Sequence, residues 1–181
     1  MNINNLANIC VQVGDFEQAI KYYDESLEIK NKIFGEFSNE SVLAYNNLGW
    51  CYLKSNSYEK AIQNLIIALS IATKTNSIKQ CTTYKYVLNN LGLTYLKLND
   101  LVKAEEYLFG ALKIFKNLNC VDIHECYLNV ALFYASTENF KVAEKYFNDA
   151  LKLKEKLFGS ENFNLEEILI EYALFLKNKE E

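Results

Sequence analysis

The sequence predicts an all-α fold, a solenoid of antiparallel helix pairs, and three observations predict it. Ala19, Ala61, Ala104 and Ala143 step by 42, 43 and 39 residues, a self-similarity of the kind repeat architectures produce. Around each alanine apolar residues follow helical spacing: Leu48, Gly49 and Tyr52 share a face, Ser57 interrupts, and Ala61, Leu65 and Ala68 resume it. The interruption itself recurs, because Asp15, Ser57, Asp100 and Asn139 fall at one place in the register, each able to accept a free first-turn N–H.

Taken in order, a first helix begins at or just before Met1, with Ile3, Leu6, Ile9, Cys10 and Val13 as its apolar side. Asp15, with Gln18 as a capping box, opens a second helix over Phe16 to Phe34. Gly35 ends it, and Gly159 ends a later helix after Phe158, since glycine tolerates the left-handed conformation that terminates helices. Ser38 or Asn39 starts the next pair, whose second helix runs from Tyr58 to Thr75. Further pairs follow from Ile78 to Leu98 and after Asp100, then from near Asn119 and from Phe140 to Leu157. Asn164 with Glu167 opens a last helix that has no second helix after it. The chain therefore reads as one array, with repeats over 1–37, 38–77, 78–118 and 119–161 and a terminal helix over 164–178.

Half of the 181 residues are apolar, enough to bury a core. The formal charge is −4 and every basic residue is Lys, so the chain offers neither a basic field nor a guanidinium fork, and no nucleic-acid partner is expected. No apolar run approaches the roughly 18 to 20 residues of a membrane span, and a cytoplasmic protein without membrane contact is expected. The five cysteines are odd in number and lack C-x-x-C spacing, which suggests free thiols, no disulfide framework and no metal site. His124 is the single histidine; it points about 100° away from Glu125, and Cys120 has nothing to orient it. No catalytic residue and no cofactor are therefore assigned, and the chain reads as a non-enzyme.

The spacing Leu48-Gly49, Tyr52, Ala61, Leu65, Ala68, repeated at Leu91-Gly92 and Ala104 and at Val130-Ala131 and Ala143, resembles the tetratricopeptide repeat. The period is longer than the usual 34. With Asn-Asn-Leu-Gly at 46–49 and 89–92, and Lys-Ile-Phe-Gly and Lys-Leu-Phe-Gly at 32–35 and 156–159, it is similar to the approximately 42-residue repeats of kinesin light chains. Two departures stand out: there is no proline, and Cys10 replaces the aromatic seen at Tyr52, Tyr95 and Tyr134. The resemblance implies a right-handed superhelical α-solenoid of about four and a half repeats whose concave groove takes an extended segment of a partner protein.

Candidate binding residues follow from the register. Asn5, Asn47, Asn90 and Asn129 each precede the Leu-Gly/Ala position, although asparagine costs roughly half a kcal/mol in a helix interior relative to alanine. That position lines the inner face of each first helix, together with Trp50, Lys54, Leu93 and Lys97. An amide side chain offers one acceptor and one donor, the complements of a peptide unit, and the lysines favour an acidic partner. The alternative is that these asparagines are struts within the solenoid. The last helix is apolar on all sides, and Leu169, Leu174 and Phe175 are expected to drive self-association into a homo-oligomer or a longer array. A structural assembly element with an unused groove is thus the alternative function.

Overall fold

A computed structural model of the chain describes residues 3–74, 83–159 and 165–180. These residues form nine helices: α1 (Ile3–Gln12), α2 (Phe16–Phe34), α3 (Asn39–Lys54), α4 (Tyr58–Lys74), α5 (Tyr84–Lys97), α6 (Leu101–Asn117), α7 (Ile123–Ser136), α8 (Phe140–Phe158) and α9 (Glu166–Glu180). They fall into two compact units, Met1–Asp100 and Leu101–Glu181. The expected starts at Met1, Ile78 and Asn164 lie outside the described residues, as does the Glu167 side chain.

In the first unit each helix packs on the next in sequence, and α3 packs on α5 as well. Ala7, Ala19, Tyr23, Leu48 and Cys51 make one buried cluster across α1, α2 and α3. Beyond it Ala61, Leu65 and Ala68 of α4 and Val87 and Leu91 of α5 are fully buried. Gly49 shows why the register demands small residues: a Cβ there would stand 2.5 Å from Leu65 Cγ and 3.3 Å from the Ala61 carbonyl oxygen. The two backbones meet too closely for a side chain.

In the second unit α7 packs on α6 and α8, and α9 packs on α8 and α7. Leu128, Ala131, Ala143, Phe147, Ala150, Ile168 and Phe175 form its core. The Phe147 ring stacks on Tyr172 at 5.0 Å between centroids and meets Phe175 at 5.2 Å. Large side chains buried in this way each contribute about 1.5–3 kcal/mol over exposure. Ala104 and Ala143 are fully buried, as Ala61 is in the first unit.

Between the helices of a pair the chain turns on one residue with a positive φ. Gly14 (82°), Asn56 (58°), Asn99 (59°) and Glu138 (59°) hold this place, each one before Asp15, Ser57, Asp100 or Asn139. Two backbone bonds close every such turn; at the first, the Asp15 N–H donates to the Cys10 carbonyl (2.8 Å) and the Gly14 N–H to that of Val11 (3.1 Å). The same paired bonds with Asn119 (φ 49°) end α6. Gly35 and Gly159, both at φ 84°, close α2 and α8 as the sequence predicts. Asp15 Oδ1 accepts the Gln18 N–H at 3.1 Å, whereas Asn139 occupies the cap position without making a side-chain bond.

Candidate interaction face of the first-of-pair helices

Successive residues of a helix turn by about 100°, so Asn47, Trp50 and Lys54 lie within about 60° of one another. Gly49, where α4 crosses, lies about 160° from Asn47. Asn90, Leu93 and Lys97 repeat this spacing on α5. The face that the register predicts is therefore the one turned away from the second helices.

Along this face consecutive asparagines divide the work. Asn46 and Asn89 are buried, while Asn47 and Asn90 are half-buried. The Asn90 amide Nδ2 donates to Asn46 Oδ1 at 3.1 Å, tying α5 to α3. Asn89, only 3% exposed, keeps its Oδ1 without a hydrogen-bond partner. Asn47 is half-buried and makes no side-chain hydrogen bond among the described residues. The Asn90–Asn46 bond is a strut of the kind that the alternative reading names.

The other register residues fall as follows. Asn5 is exposed on α1, Lys54 and Lys97 are exposed, and Leu93 is half-buried. Trp50 packs partly against the Ala7–Tyr23 cluster, which anchors it as a fixed surface. Asn129 is buried, so on α7 the register position is not offered to solvent. On α9, Leu169 and Leu174 are 48% and 52% exposed, but Phe175 is 6% exposed and packs on Phe140, Phe147 and Tyr172. The expectation that Phe175 drives self-association is corrected accordingly, because α8 already covers that side of the helix.

Cys51, Cys126 and His124 are buried. Burial pushes the Cys126 thiol up to about 12 and the Cys51 thiol to about 11, so neither supplies a thiolate near neutral pH. His124 is buried beside the Phe158 ring, and burial, with the Lys154 ammonium next, holds its pKa below the usual value. Among the described residues no three His, Cys, Asp or Glu side chains group to hold a metal ion, and no helix is long and apolar enough to cross a membrane. A separate pocket of about 470 Å³ is lined mainly by Phe37 between α2 and α3, Tyr45 of α3 and Ile66, Ile67 and Ile71 of α4, and includes none of the register residues.

A helix pair with a fixed small-residue crossing and a polar face turned away from it is the unit of a repeat built for protein contact. Three sequence models described as tetratricopeptide repeat match residues 1–74, 86–117 and 125–164, and the chain belongs to the tetratricopeptide repeat family. No curated protein matches the sequence. Among solved structures, BtubC (BKLC) from P. vanneervenii is 23% identical with a TM-score of 0.68, the match covering 88% of this chain and 65% of that one. Nearly identical TPR-like repeats assigned to a kinesin light chain of Podosopora anserina give 16% identity and a TM-score of 0.68, over 97% of this chain and 84% of the other. Aspartyl phosphate phosphatase F from Bacillus subtilis gives 17% identity and a TM-score of 0.74, over 98% of this chain and 45% of the other. The chain thus spans less than two thirds of BtubC and under half of the phosphatase, and these likenesses concern the fold. That fold is generally a non-catalytic protein-interaction module, and tetratricopeptide repeat proteins bind protein partners.

Proposed function

We propose that this protein binds an extended segment of a partner protein along the asparagine face of its first-of-pair helices, and that it carries out no chemistry itself. The observation that carries the reading is Asn47: a half-buried amide within a helix, without a side-chain hydrogen bond among the described residues, in line with Trp50 and Lys54. A peptide unit supplies the donor and acceptor such an amide lacks. Exposed Lys54 and Lys97 at equivalent places select acidic residues in the partner, so affinity falls modestly as salt rises. Cys10, Cys51 and Cys126, outside any disulfide among the described residues, favour the reducing cytoplasm as its setting.

Asn47→Ala is the clean test, because Asn90 is tied to Asn46 and its loss would disturb the helix contact too. On an array of extended acidic peptides of about 12 residues, about 40 Å each, wild type should retain a subset. Asn47→Ala should lose about five- to tenfold in affinity for that subset, the effect of one hydrogen bond of about 1 kcal/mol or slightly more. Its melting temperature should stay level or rise, since alanine is the better helix former. Equal binding by the variant would remove Asn47 from the site, and no retained peptide would reject the face altogether.

A further inference from the structure

The pocket bounded by α2, α3 and α4 holds a ring and a carboxylate that no cation answers. Asn31, Glu36, Phe37, Tyr45, Ile66 and Ile67 line most of its volume of about 470 Å³, a size within the roughly 300–1,000 Å³ of ligand sites. Asn31 is tied back, since its Oδ1 accepts the Ser41 hydroxyl at 2.8 Å. Tyr45 is half-buried and makes no hydrogen bond, ring contact or cation contact among the described residues, and exposed Glu36 makes no ion pair among them. Phe37, Ile66 and Ile67 are exposed, so the mouth of the pocket is open.

The second unit fills the equivalent place from within. Counted from Ala19 and Ala104, Asn31 corresponds to Lys116; counted from Gly49 and Ala131, Tyr45 corresponds to Tyr127. The Lys116 ammonium stands over the Tyr127 ring, 5.8 Å from its centroid. Asp149, the counterpart of Ile67, lies close enough to raise the pKa of the Tyr127 hydroxyl, second to burial. Ring, cation and carboxylate thus lie at one place on α7. In the first unit asparagine at 31 withdraws the cation, and isoleucine at 67 withdraws the carboxylate. A carboxylate returns from another direction: the stretch from Ala19 to Gly49 is three residues longer than that from Ala104 to Ala131, and the longer α2–α3 connection carries Glu36 and Phe37. The Ser38 and Ser41 hydroxyls both reach the Gly35 carbonyl at 2.9 Å, which pins that connection beside the pocket. Only the cation is missing.

We infer that this pocket takes a lysine or arginine side chain of a partner protein, its charged head over the Tyr45 ring and toward Glu36 and its methylene stem along Ile66 and Ile67. An open mouth encloses a free small ligand less fully than such ligands need, whereas a side chain enters with its own backbone outside. Tyr45 stands about 160° round α3 from Asn47, so the site is separate from the asparagine face, and either can fail without the other.

The probes are capped peptides, Gly-Ser-Gly-Xaa-Gly-Ser-Gly, with lysine, arginine or neutral norleucine at the centre. They are titrated against the full chain with isotope-labelled isoleucine methyl groups and read by nuclear magnetic resonance. The lysine and arginine peptides should shift the Ile66 and Ile67 methyl signals saturably and bind about fivefold tighter than the norleucine peptide. Asn31→Lys should close the site from within, as Lys116 does on Tyr127, and abolish the shifts. Glu36→Gln changes an exposed side chain and should weaken binding about threefold without moving the melting temperature. Equal binding by the norleucine peptide would leave only an apolar anchor and overturn the inference, as would the absence of saturable shifts at Ile66 and Ile67. Binding left intact by either variant would overturn it as well. Phe37→Ser should leave the melting temperature unchanged; a fall of several degrees would show that the chain itself closes the pocket, and the inference would fail on that ground too.

Discussion

The second and fourth helix pairs, α3–α4 and α7–α8, keep one register with an offset of 82 residues and fill it differently. Where α3 has Gly49 against Leu65, α7 has Ala131 with Phe147. Asn46 becomes Leu128, Val42 becomes His124, and at the turn Asn56 becomes Glu138. All five positions lie at comparable depth or conformation in both pairs, so the repeat fixes where each side chain goes. Its identity is settled one contact at a time, by the volume or hydrogen bond that the partner side chain offers. Asn47 is half-buried on α3, whereas its counterpart Asn129 on α7 is buried.

The sharpest way to break the comparison is to give α3 the fourth pair's residue alone. Gly49→Ala pushes a methyl group into Leu65 and should cost about 1–3 kcal/mol. The reverse change, Ala131→Gly, should cost only about 0.5–1 kcal/mol, chiefly through backbone entropy. Urea titration measures both. Adding Leu65→Phe to Gly49→Ala should recover part of the loss, since the pair then matches Ala131 and Phe147. A double variant no better than the sum of its singles would show that the correlation of shape between the two positions is accidental.

Next in size is the buried polar position. Asn46 accepts a hydrogen bond from Asn90, and Asn46→Leu should cost about 1 kcal/mol, the net worth of such a bond. Asn89 holds the same register place on α5 with an unpaired, buried Oδ1. Asn89→Leu adopts the fourth pair's own choice, Leu128, and should be neutral or stabilising, because it removes an unsatisfied acceptor. If both substitutions cost the same, the Asn90–Asn46 bond contributes nothing particular to stability.

These two asparagines also show where sequence reasoning stops. The small-residue crossings, the boundaries of α2 and α8 and the start of α3 were legible, because they rest on spacing along one helix, on cap residues and on glycines with a single conformational role. Asn46 and Asn47 are adjacent, and which of them faces inward depends on where the next helix lies. On α9 every side is apolar, so no periodicity distinguishes Phe175, which α8 covers, from Leu174, which it does not. The turn residues Asn56, Asn99 and Asn119 were missed for another reason. An asparagine-rich composition masks them, although the place of Asn56 and Asn99, two residues before the next helix, was a usable signal.

His124 in place of Val42 gives the fourth pair a pH dependence that the second lacks. Burial, followed by the nearby Lys154 charge, depresses the His124 pKa below its ordinary 6.5. Above 6.5 the imidazole is neutral folded or unfolded. As pH falls below 6.5 the unfolded chain binds the proton first, so stability is lost down to the lower folded pKa. The melting temperature should fall between pH 7 and pH 5, and His124→Val should flatten that part of the profile. An unchanged slope in the variant would assign the acid sensitivity to the carboxylates instead.

The smallest effect expected lies at the turn, where three pairs use a residue suited to the left-handed region and the fourth does not. Gly14, Asn56 and Asn99 carry positive φ at little cost; Glu138 adopts φ 59° with a long side chain and no local amide to offset the crowding of its Cβ. Its backbone bonds are nevertheless intact: the Glu138 N–H donates to Ala135 at 3.1 Å and the Asn139 N–H to Tyr134 at 2.9 Å. The turn is thus held by the helices on either side, and the strain is local and removable. Glu138→Asn should raise stability by about 0.5–1 kcal/mol, a shift of about 1–4 °C for a chain of this size, and Glu138→Gly by a similar amount. The same exchange in reverse, Asn56→Glu, should lower it equally. If Glu138→Asn gives no gain while Asn56→Glu gives a loss, the two turns differ in more than the residue they carry.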